Sequence, residues 1–295
     1  MFKRLFASKQ RPYFKTPFRQ DTLSSDLSGT RFEISLPPQD YAFAEDPCLP
    51  KVNLFDKSLY DYETKPDRNG HPPHNQGVMI ESVFKRKWFT YGPIWRARHI
   101  GSLQCAGVVC DTSQMVAGLN CFNPEHLENL ILHDLYYSEG PGFGNENTSP
   151  VHWKIRQIQG VDWVYMESWS RKPAWIKSTD NYRDANFVAY MFTPLFEDKY
   201  LILSFVGIGS LPAEASNQAL LARIESIVPS LKIELSPLAL KQKADAEKKF
   251  PDAHYSQKRE PEPWEYYTSF RDGDVLKGEK PLVIEGPCSP PPSLL

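Results

Sequence analysis

The chain has 295 residues, 41% hydrophobic and 24% charged, with a formal net charge of −2. That length holds one large domain or two small ones and buries a core without disulfides. The slightly acidic balance excludes the electrostatic footprint of a nucleic-acid-binding protein.

Prolines outnumber glycines, 26 to 16. Proline fixes φ and cannot donate to a ladder, which argues for many irregular connections and against a helical bundle. The five cysteines (Cys48, Cys105, Cys110, Cys121 and Cys288) are odd in number and dispersed, unlike a disulfide framework. The basic start is followed by no apolar signal core, and no run reaches the roughly 20 apolar residues that span a bilayer. These features lead to an expectation of cytoplasmic residence.

Residues 1–28 read as a basic arm. Lys3, Arg4, Lys9, Arg11, Lys15 and Arg19 fall in its first part with no acid among them. Phe2, Leu5 and Phe6, spaced i, i+3 and i+4, suit one amphipathic turn against a membrane or a partner, or else an ordinary frayed terminus. The domain is expected from residue 29 to 236. RFEISLPP alternates Phe32, Ile34 and Leu36 with polar residues and predicts a half-buried strand stopped by two prolines. Residues 51–62 predict a second, less regular strand, and 64–77 a polar loop. Strands are expected on both sides of Tyr91-Gly92-Pro93. Residues 102–118 lean towards strand without a clear period.

Asn123 as N-cap, Pro124 at the first helical position and the stripe Leu127, Leu130, Ile131, Leu135 predict a helix over 124–138, with Gly140 beyond it and a loop over 140–150. Residues 153–170 predict a hairpin turning near Gly160. FVAYMF (187–192) and YLILSFV (200–206) are nearly continuously apolar, the pattern of strands covered on both faces. A helix over 211–228, stopped by Pro229, and a last strand in LKIEL (231–235) follow. The region 237–295 is expected to be a proline-rich tail with a short helix in LALKQKADAEKKF.

No residue set converges for catalysis or metal. His71 and His74 lie in a loop beside Asp67, and His126 and His133 are seven apart, so neither pair has the spacing of zinc ligands. A Cys/His pair, Cys105 or Cys110 with His99, His126 or His152, is the one enzymatic alternative. GPGFGNEN follows a helix and opens none, unlike a dinucleotide fingerprint. Asp162 and Glu167 fall on opposite faces of a regular strand. No cofactor is expected.

The richest chemistry is aromatic. Trp153, Trp163, Tyr165, Trp169 and Trp175 lie close together, and Trp163, Tyr165, Glu167 and Trp169 share one strand face. Such rings serve either as binding hot spots or as a cross-strand core under a helix.

RFEISLPP, the central hairpins, YLILSFVG, a helix ending in RIESIVPSL and a final strand resemble the PsbP-like α/β/α sandwich over about residues 29–236. The resemblance implies an α+β fold: a central antiparallel sheet flanked by helices, here with extended N- and C-terminal arms. It also implies a non-enzymatic binding or assembly module, such as an adaptor, a secretion-effector chaperone or an immunity protein. The resulting expectation is a cytoplasmic protein-binding module that uses the five aromatic residues. The alternatives are a Cys/His hydrolase and a membrane-surface or assembly component acting through its arms. The expected partner is another protein and not nucleic acid; membrane contact would fall to residues 1–19.

Overall fold

The computed structural model describes residues 2–8, 11–15, 20–40, 48–60, 77–80, 82–95, 99–115, 117–138, 147–169, 186–209, 213–261, 265–267 and 283–285. Their elements run α1 (Phe2–Leu5), β1 (Tyr13–Phe14), β2 (Asp21–Leu27), β3 (Thr30–Leu36), β4 (Lys51–Val52), β5 (Val78–Met79), β6 (Phe84–Tyr91), β7 (His99–Asp111) and α2 (Pro124–Ser138). There follow β8 (Val151–Ile158), β9 (Val161–Trp169), β10 (Asn186–Phe196), β11 (Lys199–Ile208), α3 (Ala213–Ile227), β12 (Lys232–Glu234), α4 (Pro237–Lys249), β13 (Glu265–Tyr267) and β14 (Val283–Glu285). The class is α+β, with antiparallel pairing predominant.

The large sheet has the order β1-β6-β7-β11-β10-β9-β8, with β5 added to the end of β7. A smaller sheet, β12-β3-β2-β4, is antiparallel except where β2 meets β4. The central strands are covered on both faces, which is why their sequences lack an alternating pattern. Leu201, Leu203 and Phe205 of β11 pack with Phe32, Ile34 and Leu36 of β3 and with Leu220, Ile224 and Ile227 of α3. Tyr200 and Ile202 turn the other way, onto Leu127, Leu130, Ile131 and Leu135 of α2. Period-2 geometry thus sorts one apolar run into two cores.

The turns follow from local chemistry. Gln159 and Gly160 both take positive φ, 49° and 80°, between the paired residues Ile158 and Val161. That is the primed two-residue turn whose twist matches a hairpin. Asn123 caps α2, its Oδ1 accepting from the Glu125 and His126 amides at 2.9 and 3.3 Å. Ser236 caps α4 by accepting from Ala239 N at 3.2 Å.

The first segment differs from expectation. Residues 21–27, read from sequence as part of a basic arm, form β2 and pair with β3 along its length. Its inward positions include Ser25, whose hydroxyl donates to Leu49 O at 2.6 Å. A serine in a core-facing slot hides the alternation. Ser28 and Gly29, also at positive φ, make the β2–β3 turn where the domain boundary was expected. The region after Pro237 begins with α4, as expected, and then lies against α2. Buried Glu128 accepts from Ser256 N at 2.9 Å, from Ser256 Oγ at 2.7 Å and from Arg259 Nη1 at 3.2 Å. Most of the 64–77 loop, Gly140 and residues 141–146, the connection 171–185 with Trp175, Cys288 and the SPPPSLL end lie outside the described residues.

Candidate functional surface

The hairpin read as a binding surface is a core element. Trp163 and Tyr165 are 1% and 2% exposed and join the cluster under α3, while Trp153, on the other face, is 4% exposed beside α2. Trp169 is partly buried and its ring lies 4.8 Å from that of Phe187. β9 is paired on both sides, with β8 and β10, and both of its faces are covered, so Trp163 and Tyr165 have no route to solvent.

Glu167, buried among these rings, explains the polar break in the strand. Its carboxylate accepts from Tyr165 Oη at 2.6 Å and Trp169 Nε1 at 3.0 Å, and pairs with His152 Nδ1 at 2.9 Å. A buried carboxylate needs such partners to offset its lost hydration. Burial, with the Glu167 charge beside it, pushes the Tyr165 hydroxyl up, so it stays a donor. His152 sits at φ 57° within the irregularity between Val151 and Lys154, and its exposed ring meets the carboxylate. The arrangement ties the end of β8 to β9.

The thiols are enclosed. Cys105, Cys110 and Cys121 are fully buried, and desolvation pushes all three above the ordinary thiol range. Cys110 donates to Asp134 Oδ2 at 3.4 Å; Tyr200 Oη donates to the same oxygen and Gly77 N to Oδ1 at 2.8 Å. Burial raises the Asp134 pKa against those bonds. A nucleophilic cysteine needs thiolate character and access, and these three have neither.

The two most exposed large apolar side chains among the described residues lie elsewhere. Phe6 is 79% and Trp95 72% exposed, with Leu5 and Ile94 beside them in sequence. The two stretches meet around Tyr91: Tyr13 of β1 pairs with it, the Arg4 guanidinium lies 4.8 Å above its ring, and Ile94 and Trp95 follow in the turn after Pro93. Charged groups there include Arg4, Arg11, Lys15 and Arg223, with Asp40 paired to Lys15 at 3.3 Å. Sequence reasoning singled out Leu5 and Phe6 but missed Trp95. The available signal was a Trp two residues after Gly92-Pro93, where a large ring has no strand to carry it inward.

A groove of about 510 Å³ continues from Phe6, between the segment Arg11, Pro12, Tyr13, Phe14 and the α3 residues Ala219, Ala222, Arg223 and Ser226. Those α3 positions recur at i, i+3, i+4 and i+7, so they form one stripe, turned away from the buried Leu220, Ile224 and Ile227.

Comparison with family models, with curated proteins and with solved structures finds no match.

Proposed function

We propose that the protein is a non-enzymatic protein-binding module of the cytoplasm, of the adaptor, chaperone or immunity class that the PsbP-like resemblance suggests. Its docking surface is the tip around Tyr91. The single supporting observation is the pair of large rings left in solvent, Phe6 and Trp95, on the segments that flank Tyr91 and the Arg4 guanidinium over its ring. Contiguous exposed apolar patches mark interaction sites, and Trp and Arg are the residue types that anchor interfaces. The enclosure of Cys105, Cys110 and Cys121 removes support from the hydrolase alternative.

Affinity purification from the native host tests the reading. A partner recovered with wild type is expected to be lost with Trp95→Ala and with Phe6→Ala, and kept with Lys154→Ala on the opposite sheet edge. Equal recovery with all three variants sinks it. A second reading, contact with a membrane surface, rests on the same apolar and basic tip. Co-sedimentation with phosphatidylglycerol vesicles, dependent on Phe6 and Trp95, would replace the first reading with the second.

A further inference from the structure

We infer that the groove between β1 and α3 is the seat of a partner's acidic amphipathic helix, a deepening that rests on the protein-binding reading above. Three observations carry it. First, the groove walls are mainly apolar: Phe6, Pro12, Tyr13 and Phe14 face Ala219 and Ala222 of the α3 stripe. Small side chains on one helix let a second backbone approach closely, and Phe6 makes the groove continuous with the exposed tip.

Second, the charges lining the groove are of one sign. Arg11 and Arg223 contribute to its wall, and no acid does among the described residues. Arg223 stacks on the Phe14 ring at 5.2 Å and donates to Lys15 O at 3.2 Å, while its Nε is buried with no hydrogen-bond partner among the described residues. Burial lowers its pKa, with the Asp40 charge opposing. A guanidinium partly withdrawn from water is stabilised by a carboxylate that can meet it in a bidentate pair. Third, the Arg223 guanidinium is held in place over the Phe14 ring, a fixed cation that a protruding Asp or Glu can meet. An apolar stripe flanked by carboxylates on one helix supplies both complements at once, the helix-in-groove mode of recognition.

The test uses a displayed library of short randomised helices selected against the full chain. The expected winners carry an apolar stripe flanked by Asp or Glu, and lose roughly tenfold or more in affinity, about one decade in Kd, against Ala222→Trp and Arg11→Glu. Both positions are solvent-exposed, so the variants keep the fold, which the thermal midpoint verifies. Winners that are basic, winners indifferent to Ala222→Trp, or a selection with no winners overturn the inference. So does binding of phosphatidylglycerol vesicles through the groove in place of helices. Trp95 lies outside the groove and separates the two levels. A native partner lost with Trp95→Ala but kept with Ala222→Trp and Arg11→Glu sinks the groove and spares the docking tip. A native partner kept with Trp95→Ala sinks the docking tip itself.

Discussion

The inner face of β9 and the tip around Tyr91 are both rich in aromatic residues, and the fold treats them in opposite ways. Trp163 is 1% exposed and Trp95 is 72% exposed. The first ring hangs from a strand with neighbours on both sides and a helix above; the second sits in a turn after Gly92-Pro93. Ring chemistry is the same in both places. Depth in the sheet decides whether it stabilises the fold or is left in solvent, because a strand's position fixes which faces are covered.

The largest expected effect falls on the buried side. Trp163→Ala removes a fully buried ring and is expected to cost about 3–5 kcal/mol, read from the urea midpoint. A loss under about 1 kcal/mol would break the comparison, since surface positions behave that way. Next comes Glu167→Ala, which leaves the Tyr165 hydroxyl and the Trp169 indole N–H without their acceptor. Each buried group left unpaired costs about 1–3 kcal/mol, and Glu167→Gln, which keeps an acceptor, should cost less.

Asp134 sharpens the comparison through pH. Burial raises its pKa, so the native state keeps a proton that the unfolded chain releases. Its stabilising contribution is therefore complete below the ordinary 3.8 and fades as pH rises through the raised native value. Asp134→Asn lacks this titration, so its stability relative to wild type is expected to improve as pH rises through that window. Paired denaturation curves at several pH values check it. A difference that stays flat with pH would place the carboxyl in water instead. The smallest stability effect is expected at the tip: Trp95→Ala and Phe6→Ala should stay within about 0.5 kcal/mol of wild type while losing the partner. A large stability loss there would mean that the rings are packed and the tip is no docking surface.

Much of the fold was legible in local pattern. The α2 boundaries follow from Asn123, Pro124 and the leucine stripe, and the β8–β9 hairpin from Gly160 between two aromatic strands. β2 was not legible, because Ser25 occupies an inward slot and is made acceptable there only by Leu49 O, a carbonyl 24 residues away. The extended segment after α4 is held by Glu128, which in sequence is one more acid on a helix and in the fold is 2% exposed. The candidate site divides in the same way. Leu5 and Phe6 stood out by spacing, but their association with Tyr91, β1 and α3 depends on pairings distant in sequence.

The sequence by itself determined the helices and the long strands other than β2, since capping, turn chemistry and hydrophobic period act over a few residues. It also determined that both faces of β10 and β11 would be covered. Only the tertiary structure decided which aromatic rings are spent on the core and which remain in solvent. That choice belongs to strand order and to what packs above each face, and both are set by contacts between residues far apart in the chain.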